Sequence, residues 1–508
     1  MTAKRDRPNV LVVMSDEQRW DSFGHAGNPA AHTPHLDALA EQSTIFEGCY
    51  TPFPLCCPSR ASLWTGRMPR HHHVLGNWRA VNPDLRDAGL GRAFQDAGYH
   101  TMYCGKWHVP GTTPARMGFA DQVAIPAVLD GRDRGRYIEP YREYATAQGF
   151  ELVEGNIENL TPADVGTLRT APHRGTAEIP VEHFLETWQT GQFLGALGDA
   201  PDDRPWFAVC SFNAPHFPMI VPAPYDTIID RGRVELPPSF ATGPDTRPRE
   251  VAQSGFARRY ADLDEAGWVE LVAHYLGLGA LVDAQVGAIV EHLRRTGQLE
   301  RTIVVYTSDH GDLLGAHRLM EKGHLLHYEE ALRVPLIIRH PDVGAATSTG
   351  NLVSVVDLAA TLTELADVAR DEDDDGISFA GMLGRRAAAP TRAYVTAETV
   401  LYGMNSDARG EYTDPADWNA TTDALNVSVR TGTSRYIHRS HDVDELYDHT
   451  TDPHEQRNVA ADPAYEPERL RLRRVLAEEI EDVFPQVAAE LCQPRLDGTP
   501  EDRRPSSP

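Results

Sequence analysis

The chain has 508 residues with 74 acidic and 48 basic side chains, a formal net charge of −26. That balance argues against a general nucleic-acid or anionic-membrane binder, while a local basic pocket can still lie inside an acidic shell. Hydrophobic residues at 41% and charged residues at 24% describe a core-forming chain and not a disordered one.

The length predicts two or three domains, or one large α/β domain with an appendage. Six cysteines, at positions 49, 56, 57, 104, 210 and 492, form no disulfide framework and fit a reducing compartment. The apolar run Asn9–Met14 is too short for a signal peptide or a membrane span, and nothing else approaches about 18 consecutive apolar residues. The expectation is a cytoplasmic protein with no membrane or nucleic-acid partner, in which the sequons at Asn159, Asn419 and Asn426 are chance matches.

In chain order, short apolar runs alternate with helical patterns, as in a largely parallel sheet covered by helices. Val10–Met14 predicts the first strand, and Thr33 before Pro34 reads as an N-cap opening a helix over Pro34–Gln42. A helix over Gly89–Ala97 precedes a weaker strand at His100–Cys104, and Trp206–Phe212 predicts another strand. The longest helical stripe runs over 266–295, carried by Trp268, Leu271, Val272, Tyr275, Leu278, Val282, Val286, Ile289, Val290 and Leu293, with Gly297 placed to stop it. Strands follow at Thr302–Thr307 and Val334–Ile338, then a helix at Val353–Asp367 and a solvated acidic connector at Asp371–Gly376. Ala393–Glu398, Asn426–Arg430 and Arg435–Arg439 read as short strands, a last helix covers 467–483, and the end from about 494 reads as a frayed tail. Residues 111–180 and 218–262, rich in Pro, Gly and charge, are expected to build a binding mouth. The predicted division is a catalytic α/β domain over 1–388 and a smaller C-terminal α+β domain over 389–508.

Polar residues gather just past four predicted strands: Ser15-Asp16-Glu17-Gln18, Gly105-Lys106-Trp107-His108, Asn213-Ala-Pro-His216 and Ser308-Asp309-His310-Gly311-Asp312. Ligands of open α/β sheets bind outside the carboxyl ends of the strands, so convergence of these four segments on one site is expected. Asp16, Glu17, Asp309 and His310 supply carboxylates and one imidazole, a set suited to Ca²⁺ or Mg²⁺, with Mn²⁺ tolerating the histidine.

Of the 48 cations 45 are Arg, and the only lysines are Lys4, Lys106 and Lys322. Lys4 sits in a charged leader, whereas the other two sit inside polar clusters. A compact ammonium on a flexible stem is a point-charge ligand for a tetrahedral oxyanion. Two of them with His108 and His216 would line a cationic pocket that binds sulfate or phosphate and stabilises charge during its transfer.

Cys56-Cys57-Pro58-Ser59-Arg60 lacks the two-residue spacing of zinc or redox pairs. A cysteine opening a helix lies at an electropositive terminus, where a thiolate or other nucleophile is stabilised. With Thr65-Gly66-Arg67 behind it, this segment strongly resembles the signature of the sulfatase family of the alkaline-phosphatase-like superfamily. The resemblance extends in order through Ser15–Arg19, Gly105–His108, Asn213–His216, Ser308–Asp312, Tyr328–Leu336 and Glu445–Asp448 with Asp452-Pro453.

That resemblance implies an alkaline-phosphatase-like α/β fold and hydrolysis of an organic sulfate ester to alcohol and sulfate. Cys56 would be oxidised to formylglycine by a formylglycine-generating enzyme, and its hydrate would attack sulfur and later expel sulfate. Arg60 would hold the hydrate. One divalent metal, Ca²⁺ by preference with Mn²⁺ or Mg²⁺ as alternatives, would sit on Asp16, Glu17, Cys56, Asp309 and His310. Lys106, His108, His216 and Lys322 would contact the sulfate and assist proton transfer, with Asn77 at the mouth. A phosphonate monoester or phosphodiester hydrolase on the same scaffold is the nearest alternative, and a non-catalytic binding protein the more distant one. The substrate would be a small sulfate ester, and a homo-oligomer is compatible with the sequence. His71-His72-His73 has no simple counterpart in the family, and packing or surface exposure is expected of it.

Overall fold

A computed structural model describes residues 7–77, 79–124, 139–153, 160–170, 173–242, 247–343, 347–370, 373–383, 391–401 and 424–493. The strands are β1 (Asn9–Ser15), β2 (Thr44–Tyr50), β3 (His100–Gly105), β4 (Asp121–Val123), β5 (Arg174–Thr176), β6 (Trp206–Ser211), β7 (Met219–Val221), β8 (Thr302–Ser308), β9 (Leu336–Arg339), β10 (Thr347–Ser354), β11 (Tyr394–Leu401), β12 (Ala424–Thr431), β13 (Ser434–Arg439) and β14 (Glu445–Asp448). Eight of them form one sheet in the order β10-β2-β9-β8-β1-β6-β3-β4, while β5 and β7 pair separately. Only β9 runs against its neighbours; every other pairing in the large sheet is parallel.

The continuous apolar runs of β1, β6 and β8 follow from burial on both faces. Along β1, Leu11 and Val13 enter one core with Ala208, Cys210, Val304 and Tyr306. Val10, Val12 and Met14 enter the other with Phe207, Val209, Ile303 and Val305. Side chains alternate faces along a strand, so a strand apolar at every position needs helices on both sides. The helix Glu265–Arg295 covers the first face, contributing Leu271, Tyr275, Leu278, Val282, Val286 and Ile289. It is the one helix among the described residues long and apolar enough to cross a membrane, and most of it is buried in this core. Gly297, at φ +67, follows its end as predicted. The helix Cys56–Thr65 lies on the second face, burying Cys57, Ala61, Leu63 and Trp64.

The C-terminal sheet is an antiparallel meander, β11-β12-β13-β14, packed under the helices Glu466–Ile480 and Pro485–Cys492. Arg70 ties it to the catalytic body through Glu398 on β11 and Glu479 on the longer helix. The predicted domain boundary at 388 lies outside the described residues, as do Asn159, Asn419 and the tail from 494. Asn426 is buried within β12, as a chance sequon should be. All six cysteines are free thiols.

Two expectations change. The helix predicted over Val353–Asp367 starts only at Asp357, because the residues before it form β10, an edge strand paired with β2. Neither strand announced itself, since the outer half of β10 is exposed and polar. Residues 111–180, in which no helix was predicted, contain the helices Glu139–Ala147 and Pro162–Thr170.

β8, β1, β6 and β3 are adjacent and parallel, so their carboxyl ends lie side by side. Gly105 ends β3 at φ +91, and a Cβ there would fall within contact distance of the Ser211 carbonyl and the Gln189 amide. The next residue, Lys106, donates its backbone N–H to the same Ser211 carbonyl at 2.9 Å. Gly105→Ala is therefore expected to cost about 2 kcal/mol or more, from the left-handed backbone and the crowding together. A lowered thermal midpoint together with weakened substrate binding would show it; an unchanged midpoint would refute the constraint.

Candidate active site

Cys56 opens its helix after Leu55, and the Asn77 side-chain oxygen accepts the Cys57 N–H at 3.0 Å, tying down the first turn. The helix delivers Cys56 to the sheet edge, where its Sγ lies 3.3 Å from His310 Nε2 and 3.8 Å from Asp16 Oδ1. One ligand atom from each of Asp16, Cys56, Asp309 and His310 falls within a 4.8 Å cluster, all four residues buried. His310 Nδ1 is 2.9 Å from the Gly311 carbonyl, which can only accept. The ring proton is thus on Nδ1, and Nε2 presents its lone pair to the cluster.

Arg60 lies one turn further along the same helix, fully buried, and its guanidinium joins the two strand ends. It donates from Nη2 to Asp16 Oδ2 at 2.8 Å and from Nε to Asp309 Oδ2 at 2.8 Å. Nη1 donates to the Lys106 carbonyl at 2.8 Å and to Ser211 Oγ at 2.9 Å. These four bonds hold Arg60 on the carboxylates and on the ends of β3 and β6, and the fifth guanidinium N–H, on Nη2, remains for the hydrate of residue 56 to which the sequence assigned it.

The cations assemble on the same edge. Lys106 Nζ is 2.8 Å from Asp16 Oδ2. Lys322 donates to Glu17 Oε2 and lies 4.5 Å from the centroid of the Phe217 ring. His216 Nε2 stands 3.6 Å from the same Glu17 oxygen, and its Nδ1 is 2.6 Å from the Phe217 carbonyl. Glu17, expected beside Cys56 in a single ligand set, instead groups with Asp16 and His216. Its backbone, at φ +68, donates its N–H to Asp309 Oδ1 at 3.1 Å while its carboxylate meets Lys322.

Burial alone would raise the Asp16 carboxyl, but the Lys106 ammonium and the Arg60 guanidinium hold it well below the ordinary range. Burial, and then the Lys106 and Arg60 charges, keep His108 unprotonated; burial with Lys322 and Lys106 does the same for His216. The Cys56 thiol runs against the expectation of a stabilised thiolate, since burial and the Asp16 carboxylate push it up to about 12. A helix terminus worth about 1 kcal/mol does not offset the loss of water around a buried sulfur.

The histidine triple stays out of this cluster. His71 spans Asp375 at 2.7 Å and Asp482 at 3.1 Å. His72 is buried, its Nδ1 accepting the Val74 N–H at 3.0 Å and its Nε2 facing Ser62 Oγ at 2.9 Å. Packing and domain contact, as expected, account for both residues. The sequence reading missed Ser211 and Asn77's capping role. Ser211 is a strand-end serine whose contact with Arg60 depends on sheet order.

A mostly parallel sheet with a buried acidic, imidazole and cationic cluster at its carboxyl edge is the architecture of the alkaline-phosphatase-like enzymes, and the family match places the chain among them. Residues 8–368 match the sulfatase family and residues 315–482 match the C-terminal part of N-sulphoglucosamine sulphohydrolase, so the chain belongs to the sulfatase family and is a sulfuric ester hydrolase. It is 28% identical over 515 residues to the uncharacterized sulfatase YidJ of Escherichia coli (strain K12), covering 97% of this chain and 92% of that one. It is also 28% identical over 495 residues to the multifunctional alkaline phosphatase superfamily protein PehA of Trinickia caryophylli, covering 90% and 92%. The fold superposes on the phosphonate monoester hydrolase of Agrobacterium radiobacter with a TM-score of 0.76 at 22% identity, over 95% of this chain and 96% of that one.

Arg60→Lys keeps the charge but loses the fork that spans two carboxylates. It is expected to lower turnover about 10²-fold, in line with other changes behind a ligand shell; steady-state rates at saturating substrate would measure this, and wild-type turnover would sink the bridging role. Burial lowers the His72 imidazole from its ordinary 6.5 to about 3, so below pH 6.5 the unfolded chain takes up a proton that the folded one refuses. Stability is therefore lost as pH falls from 6.5 towards 3. His72→Gln should remove up to about 1.4 kcal/mol per pH unit of that slope; parallel midpoint-against-pH curves for the two proteins would contradict it.

Proposed function

We propose that this hydrolase cleaves a small organic sulfate ester with residue 56, matured to formylglycine, as nucleophile. The observation that carries the reading is the single buried cluster of Asp16, Cys56, Asp309 and His310 under the Lys106 and Lys322 ammonium groups. The donor set suits a hard divalent cation: two carboxylates, one of them held well below its ordinary pKa, and an imidazole whose lone pair is fixed inward. Asp16, Asp309, His310 and the side chain of residue 56 would hold that ion, with Ca²⁺ preferred and Mn²⁺ or Mg²⁺ as alternatives. When bound, such an ion draws charge from the sulfuryl oxygens, and formylglycine supplies the attacking hydroxyl.

The chain's other residues act around it. Arg60 fixes the two carboxylates. Lys106 and Lys322 stabilise the oxyanion by position. His216, with Nδ1 bound to the Phe217 carbonyl, offers Nε2 as a proton acceptor, and His108 is likewise held neutral. Glu17 holds the Lys322 ammonium. The raised Cys56 pKa supports an oxygen nucleophile, because an unmodified thiol at that position would stay protonated at neutral pH. Cys56 is 1% exposed, so a formylglycine-generating enzyme would have to act before this segment folds. The net charge of −26 disfavours highly sulfated polymers through long-range repulsion and supports a small ester.

A phosphonate monoester hydrolase is the second reading, since the phosphonate monoester hydrolase of Agrobacterium radiobacter shares the fold. Rates measured side by side on an aryl sulfate and an aryl phosphonate separate the two: the sulfate is expected to react faster, and a phosphonate preference of several decades would overturn the assignment. Cys56→Ala is expected to abolish turnover with the fold intact. Peptide mass spectrometry of protein made alongside its maturation enzyme should find formylglycine at residue 56; an unmodified cysteine there in active protein would exclude this nucleophile.

A further inference from the structure

We propose that a second divalent metal ion, of the zinc or manganese kind, sits on His317, Glu330 and Glu455 at the seam between the catalytic body and the C-terminal sheet. The three residues come from separate segments. His317 lies on the excursion from β8 between His310 and Lys322, Glu330 on the short helix Glu329–Leu332, and Glu455 beyond β14. One ligand atom from each falls within a 4.8 Å cluster, and the residues are 3%, 5% and 1% exposed.

The pair that needs explaining is His317 Nε2 and Glu330 Oε2. Both atoms are buried and neither has a hydrogen-bond partner among the described residues. They face each other at 4.0 Å, too far for a hydrogen bond, which requires about 2.7–3.2 Å. It is instead close to the spacing of two ligands across a shared ion: bonds of about 2.0–2.2 Å put neighbouring ligand atoms about 3–4 Å apart. A buried carboxylate oxygen with no partner is costly, and a cation is the economical remedy.

Among the described residues no Arg or Lys forms an ion pair with Glu330. Arg19 gives Nε and Nη2 to Asp21 and Nη1 to the Leu313 carbonyl. Arg435 is committed to Glu329 and Glu455. Glu455 Oε2 accepts only the Glu329 N–H, at 2.9 Å, among the hydrogen bonds described, which leaves a lone pair for an ion. The neighbouring set of Glu329, His449 and Glu455 makes the contrast: its carboxylates are already taken by Arg430, Arg435 and the His449 ring. One imidazole with two carboxylates selects a first-row divalent ion over an oxygen-only one. Glu330 also lines a cavity of about 440 Å³ shared with Trp20, Glu329 and His449, which gives water access to an open coordination position. The ion would staple the excursion that carries Lys322 to the C-terminal sheet.

The test counts metal. The matured chain and its variants are dialysed to equilibrium against Zn²⁺ held at a fixed free concentration by a chelating buffer, and bound zinc is measured by elemental analysis. The wild-type chain is expected to hold one equivalent of zinc more than Glu330→Gln, and Asp309→Asn, which disturbs the catalytic cluster, to keep that equivalent. Equal zinc content in the wild type and in folded Glu330→Gln overturns the proposal. Should Glu330→Gln fail to fold, Asp309→Asn decides: one retained equivalent that raises its thermal midpoint supports the seam site, and none refutes it.

Discussion

The buried contact between Arg60 and the two carboxylates Asp16 and Asp309 governs the active-site edge of this protein. Three charges with no exposed surface lie at the ends of β1 and β8 and on one helix. Carboxylates so close together repel strongly at low dielectric, and a guanidinium whose planar fork reaches both is the geometry that lets them coexist. The other two donations from Arg60, to the Lys106 carbonyl and Ser211 Oγ, bring the ends of β3 and β6 into the same network. Breaking a buried set of this kind leaves an uncompensated charge, so the four strand ends are held as a unit.

Around that bridge, charge is distributed so that each group keeps a defined state. Asp16 stays ionised because the Lys106 and Arg60 charges outweigh its burial, while His108 and His216 stay neutral through burial beside lysines. Cys56 remains a thiol at about 12. A sulfatase needs fixed positive charge where sulfuryl oxygens lie and a proton acceptor beside it. Under the proposed function, Lys106 and Lys322 supply the first and the neutral imidazoles of His108 and His216 the second.

The C-terminal sheet contributes through buried ion pairs as well as packing. Arg435 bridges Glu329 and Glu455, and Arg70 reaches Glu398 and Glu479. Tyr50, Leu332, Leu352, Val395 and Ala397 form a small apolar cluster across the same seam. The segment 309–322, which carries Asp309, His310 and Lys322, therefore leans on the C-terminal sheet as well as on the parent strand.

Much of this was legible in the residues. Uninterrupted apolar runs marked β1, β6 and β8 because both faces of those strands are buried, and the polar segments after them marked one sheet edge. The edge strand β10 was silent because half of it faces water, its neighbour β2 went unread, and two helices were hidden within 111–180. Residue types at strand ends identified Asp16, Asp309, His310, Lys106 and His216, the scarcity of lysine identified Lys322, and a five-residue motif identified Cys56 and Arg60. The sequence by itself thus pointed to side chains that share one sheet edge, most of them just past a strand of known direction. Only the tertiary structure decided what each one does there: Arg60 clamps carboxylates, Glu17 turns to Lys322, Asn77 caps a helix and the Cys56 thiol is kept protonated. Those outcomes depend on distances between segments far apart in the chain and on the water excluded around them, and no local pattern of residues encodes either.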